Sequence, residues 1–194
     1  MLPLGPHARG ATDLSVEVAA GQFEALTARV AGQLYGHFGE ARSFAFPSSI
    51  GRPSAFPAAV RWLAGEMGLS VGSSYRPPLR KDGGVDVVVW RPCPGDRGGF
   101  PVTLVQCTIG SDLRRKARDI DVRMWSGWLA LDIEPATALA FPFVVSDATA
   151  WDQLSATTTV LDRGRLATLA AAAAPCPRPG WLDEVVTAWE SEVR

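Results

Sequence analysis

At 194 residues the chain has room for one domain with a proper hydrophobic core. Hydrophobic residues make up 47% and charged residues 20%, with a net charge of −1, so a strongly basic nucleic-acid binder is excluded while a local basic patch is not. No apolar run approaches the length of a bilayer span, and the start Met1-Leu2-Pro3-Leu4-Gly5-Pro6 lacks the features of a secretory signal, so a cytoplasmic location with no membrane partner is expected.

Residues 1–13, rich in Gly and Pro, read as a flexible arm, and residues 14–194 as a single domain. Val18, Phe23, Leu26, Val30 and Leu34 recur at helical spacing, which predicts a helix from Leu14 to about Phe38, ended by Gly36 and Gly39. A Pro-, Ser- and Gly-rich connector follows over 46–54. A second helix is predicted from Ala55 to Met67, with Ser54 as N-cap, Pro57 in the first turn and Gly68 as the stop. The loop from Ser73 to Gly84 carries Arg76, Arg80 and Lys81. Strands are predicted over 85–90 and 102–108, joined by a Pro/Gly loop.

Ser111 is a suitable N-cap for a helix containing Asp112, Arg114, Arg115, Lys116 and Arg118. A short helical piece over 124–131 holds Trp125 and Trp128, whose spacing assigns them to the core. Further strands are predicted over 136–145 and 157–161. A helical turn around 151–154, capped by Ser146 or Asp147, falls between them, and helices over 163–174 and 181–192 close the chain. This order implies an α/β sandwich around a small central mixed sheet flanked by helices. The three cysteines, Cys93, Cys107 and Cys176, have no paired metal-ligand spacing and read as reduced thiols; Cys93 and Cys107 flank the same hairpin.

The chemistry concentrates at that hairpin. Asp86 enters an apolar run, Val85–Trp90, where a carboxylate is costly unless something binds it. Gln106 lies in the next apolar strand. Two oxygen ligands brought together there can hold a divalent cation against a phosphate. Other chemistries lack their residues. There is no Gly-rich phosphate loop with Lys-Ser/Thr and no Gly-x-Ser-x-Gly elbow, and His7 and His37 leave little for a nucleophile–histidine system.

The stretch from Phe56 to Lys116 resembles the Mrr-like branch of the PD-(D/E)XK restriction-endonuclease superfamily. That branch shows a Gly-Gly-hydrophobic-Asp strand start followed by a strand carrying Gln-Cys-Lys; here these read Gly83-Gly84-Val85-Asp86 and Gln106-Cys107-Thr108. The resemblance implies a restriction-endonuclease-like fold and a Mg²⁺- or Mn²⁺-dependent endodeoxyribonuclease serving a bacterial anti-phage or restriction-type defence system. It also implies DNA as substrate, with a larger defence-system subunit or a homodimer as further partners. Asp86, Gln106 and the backbone carbonyl of Cys107 would hold the metal, with Asp86, Gln106 and a lysine as the catalytic set. Thr108 occupies the family lysine position, so Lys116, one of only two lysines beside Lys81, is the substitute. The upstream helix of the pattern often begins Phe-Glu; Phe56-Pro57 lacks that acid, leaving Glu40 or Glu66 as replacements. Arg76, Arg80, Lys81, Arg114 and Arg115 would contact phosphates. The alternative is a catalytically degenerate nuclease fold serving as a nucleic-acid- or protein-binding scaffold.

Overall fold

The computed structural model describes residues 13–47, 51–95 and 98–173. The predicted arm and the helix over 181–192, with Cys176, Trp181 and Trp189, lie outside the described residues. Among the described residues no helix is long and apolar enough to cross a membrane.

The predicted first helix is two elements. Helix α1 spans Asp13–Val30, and a 3-10 segment over Ala31–Phe38 follows, broken at Tyr35 and at Gly36, whose φ of 67° only glycine adopts freely. Strand β1, Glu40–Ser43, then appears in a stretch, before the 46–54 connector, for which no element was predicted. Its sequence Glu-Ala-Arg-Ser has little strand propensity; pairing with β2 imposes the conformation. Helix α2 (Phe56–Met67) has Pro57 in its first turn and the left-handed Gly68 as C-cap, as expected, but its N-cap is Ala55, without a side-chain bond, and not Ser54.

Strands β2 (Val87–Trp90) and β3 (Val102–Cys107) form the predicted antiparallel hairpin. The register pairs Trp90 with Val102 and Val87 with Val105, so Cys93 and Cys107 lie at opposite ends of it, and both are free thiols. Helix α3 is one turn, Leu113–Lys116, capped by Asp112 and not by Ser111: the Asp112 carboxylate accepts from the Arg115 N–H. Helix α4 (Val122–Trp128) starts earlier than expected because Asp121 caps it. Strand β4 (Ala136–Ala140) stops short of Pro142, which cannot donate to a ladder. Helix α5 (Ala148–Ser155) is capped by Asp147. Strand β5 (Thr159–Leu161) and helix α6 (Arg163–Ala172), capped by Asp162, complete the described chain.

The five strands form one mixed sheet in sequential order. β1, β2 and β3 are mutually antiparallel, whereas β4 runs parallel to β3 and β5 parallel to β4. The period-two alternation of β2 and β3 feeds two separate cores. Val88, Trp90, Val102 and Leu104 pack with Phe44, Phe56, Leu63, Trp125 and Trp128. Val87, Val89, Val105 and Cys107 pack with Phe23, Val30 and Leu166. The central strands are therefore buried on both faces, which explains their continuous apolar sequence. The two tryptophans of α4 are 0% and 3% exposed and meet Phe44 and Phe56 edge-on, so they are core residues as predicted.

Candidate metal centre at the β2–β3 hairpin

The backbone at Asp86 is clamped from two sides. Its N–H donates to the Val105 carbonyl at 2.9 Å, although Val105 is already the partner of Val87. Two successive residues thus engage one, a bulge-like offset of the kind that re-aims a side chain. On the other side the Asp86 carbonyl accepts from Phe44 N–H at 2.7 Å and Ala45 N–H at 3.1 Å, where the chain leaves β1. The unpredicted strand therefore helps to fix the predicted aspartate.

Asp86 is 5% exposed and meets Gln106, but through the amide nitrogen and not through the amide oxygen that was expected. Its Oδ2 accepts from Gln106 Nε2 at 2.8 Å and from the Cys107 N–H at 2.6 Å. Gln106 Nε2 also lies 3.3 Å from the Cys107 carbonyl oxygen. Burial pushes the Asp86 carboxyl up to about 7 against the opposing Cys107 N–H; the negative charges of Glu24 and Asp82 add to the rise, and Lys116 lowers it. Burial also pushes the Cys107 thiol well above its ordinary value, and the neighbouring Asp86 charge adds to the rise.

Glu24 was not among the predicted acids. Phe23 of α1 packs in one core with Val105 and Cys107, and the buried Thr27, one turn on, donates its hydroxyl back to the Phe23 carbonyl. Packing α1 on β3 therefore delivers Glu24, the residue after Phe23, to the hairpin. Its own carboxyl is raised by partial burial and then by Asp82, while Lys116 lowers it. Glu40 and Glu66, the acids considered from sequence, are instead both held by Arg42, at 3.5 and 2.9 Å. A Phe-Glu pair does stand in the sequence, Phe23-Glu24, one helix earlier than Phe56-Pro57.

Lys116 ends the single turn of α3, its side chain one-quarter exposed and 3.6 Å from Asp119 Oδ2. Its charge reaches both Glu24 and Asp86. Thr108 closes β3: its N–H donates to Ala140, and its hydroxyl accepts from Gly110 N–H at 3.1 Å. Gly84, with φ of 79°, brings the loop before Asp86 against the main chain of Asp119; a Cβ there would overlap the Asp119 carbonyl. Asp82 Oδ1 accepts from Gly84 N–H at 2.7 Å and fixes the same turn.

The predicted cations separate into different places. Arg76 and Arg80 line a groove of about 500 Å³ with Gly83, Gly84 and Arg118. Arg80 also pairs with Asp119 at 2.8 Å. Lys81 lies 4.7 Å above the Phe46 ring. Arg114 faces shallow grooves beside α5, and Arg115 is tied to Asp112 at 2.7 Å. These two do not join the groove of Arg76 and Arg80.

A carboxylate, an amide oxygen and a backbone carbonyl at the hairpin make a set that suits a hard cation once the Gln106 amide is turned over; as it stands Nε2, not Oε1, faces both Asp86 and the Cys107 carbonyl. Gln106 Oε1 is buried with no hydrogen-bond partner, an acceptor left for a ligand to satisfy. Among the described residues no three His, Cys, Asp or Glu side chains group closely enough to hold a metal by themselves, so Gln106 and the Cys107 carbonyl are needed to complete a set around Asp86. Glu24 also lines a cleft of about 800 Å³ between α1 and β1, in whose wall neither Asp86 nor Gln106 takes part.

Comparison with family models, with curated proteins and with solved structures gives no significant match to this chain.

Proposed function

We propose that the chain is a metal-dependent endonuclease-like domain of the restriction-endonuclease-like type, similar to the Mrr branch, hydrolysing DNA phosphodiester bonds in a bacterial defence system. The observation that carries this reading is the convergence of Asp86 and Gln106 around one point, with a buried amide oxygen lacking a partner. Glu24 and Lys116 beside them supply an acid and a cation that the motif positions Pro57 and Thr108 do not. The mixed sheet with helices on both faces agrees with that fold type.

In this reading Asp86, Gln106 Oε1 and the Cys107 carbonyl hold Mg²⁺ or Mn²⁺, with Glu24 as the outer acid. When bound, the ion supplies positive charge to offset the charge developing on the phosphate and polarises the attacking water. Lys116, as an ammonium, would orient that water and offset charge developing on the phosphate. Asp82 keeps the approach tight by fixing the Gly83-Gly84 turn. A larger defence-system subunit, or a second copy of the chain, completes the working assembly.

A second reading, a degenerate nuclease fold acting as a scaffold, draws on one specific observation. Asp86 is almost wholly buried, and its Oδ2 already has two donors. Titration of Mg²⁺ or Mn²⁺ with plasmid substrate separates the two. The nuclease reading expects nicking or linearisation that disappears in Asp86→Ala, whereas cutting unchanged by that substitution, or a folded chain with no metal heat in calorimetry, defeats it.

A further inference from the structure

Leu79 is fully exposed, the most exposed of the large apolar side chains among the described residues, and Tyr75 on the same loop is 52% exposed. A leucine held in water gains nothing from folding, and single exposed leucines are common. This one differs in its setting. The loop is pinned at both ends: Trp128 Nε1 donates to the Arg76 carbonyl at 2.8 Å, and Arg52 donates to the Lys81 carbonyl at 2.7 Å. Arg80 is tied to Asp119, and Pro77-Pro78 restrict the backbone immediately before Leu79. The apolar tip is a preorganised protrusion.

Its flanks are cationic, with Arg76 on one side and Arg80 and Lys81 on the other, and Arg118 stands across the groove that the loop walls. Asp119, which pairs with Arg80, and Asp121 also line that groove, which leaves Arg76 and Lys81 as the loop's cations without an acidic partner among the ion pairs of the described residues. The loop then runs directly through Gly83-Gly84 into Asp86. We infer that the 75–81 loop is a wedge for duplex DNA, Leu79 pressing into a base step while Arg76 and Lys81 take the flanking phosphates and Arg80, paired with Asp119, holds the loop. This rests on the DNA-cleaving reading of the Asp86 site and adds to it what holds the duplex beside that site. An apolar side chain between cations is what minor-groove proteins use to unstack a step while gripping the backbone. An apolar pocket on a protein would make no use of the cations, so duplex DNA is the better-matched occupant.

The test is binding in EDTA, where cleavage is silent, to a short duplex carrying 2-aminopurine and to the matching single strand. Wild-type chain should raise the fluorescence of the duplex probe on binding. Leu79→Ala should abolish the rise and weaken duplex binding about tenfold, with single-strand binding unchanged and Leu79→Met restoring both signals. Leu79 is exposed, so neither substitution threatens the fold. Equal duplex affinity and equal fluorescence for Leu79→Ala overturns the wedge and leaves the cleavage reading standing. Wild-type chain that binds neither DNA overturns both. Self-association abolished by Leu79→Ala, with no DNA binding, assigns the loop to a protein contact and overturns the wedge.

Discussion

Glu24 of α1 stands close enough to Asp86 at the head of β2 for its charge to help push the aspartate carboxyl up to about 7. Burial is the larger cause, but the neighbouring acid makes the site a coupled one, and the coupling gives each member a measurable signature.

Asp86 binds its proton more tightly in the folded chain than in the unfolded one, where aspartate titrates near its ordinary value. The folded state is therefore favoured below about pH 4, and this contribution is lost as pH rises from about 4 to about 7. Asp86→Asn keeps an oxygen to accept from Gln106 and Cys107 but cannot ionise. It should raise unfolding free energy by about 2–4 kcal/mol at pH 8 and change it little at pH 4, read by urea denaturation at the two pH values. Equal effects at both would show that Asp86 is not titrating.

Metal and proton compete for the same carboxylate, so Mn²⁺ affinity should rise about tenfold per pH unit up to about pH 7 and then level off. Isothermal calorimetry at a series of pH values checks this. Flat affinity across the range would place the ion elsewhere.

Neutralising Glu24 removes a negative charge beside Asp86, so Glu24→Gln should lower the Asp86 midpoint, whereas Lys116→Ala, which removes a positive one, should raise it. Carboxyl ¹³C NMR follows both. In the nuclease reading each substitution also reduces cleavage about 100-fold or more, while Glu40→Gln and Glu66→Gln, held by Arg42, leave it within a factor of about two. Lys81→Ala, the only other lysine, stands at the phosphate contacts and should raise the DNA concentration needed for half-maximal cutting while leaving the rate at saturating DNA within a factor of about two.

Gly84 has a left-handed backbone and no room for a Cβ against Asp119. Gly84→Ala should cost about 2–4 kcal/mol, from the strained φ together with the displaced carbonyl. A Tm equal to that of the wild type would show that the loop and the Asp119 segment separate freely in solution.

The local part of the site was legible. Gly83-Gly84-Val85-Asp86 and Gln106-Cys107 lie in two apolar runs joined by a Pro/Gly loop, which is enough to predict a hairpin and the meeting of its two polar side chains. The continuous apolar character of Val85–Trp90 and Val102–Cys107 likewise announced strands buried on both faces. Caps were readable in type but less so in place: Asp112, Asp121, Asp147 and Asp162 all bond the third residue onward, but aspartate is common in loops, and only a backbone already turning selects one.

β1 was invisible because Glu-Ala-Arg-Ser carries no strand signal, and its conformation comes from hydrogen bonds to β2. Glu24 was missed for a different reason. Sequence distance does not say which helix packs against which strand, and α1 is farther along the chain from the hairpin than α2 is. The separation of Arg114 and Arg115 from Arg76 and Arg80 depends in the same way on where α3 and the 73–84 loop are carried.

By itself the sequence determined the alternation of strands and helices, the hairpin and the pairing of Asp86 with Gln106, because those follow from local periodicity and from residues joined by one turn. Only the tertiary structure decided which acid and which cation stand beside that pair. Those neighbours are brought together by helix-on-sheet packing, and the burial that raises the Asp86 carboxyl arises only when α1, β1 and β3 have closed around it.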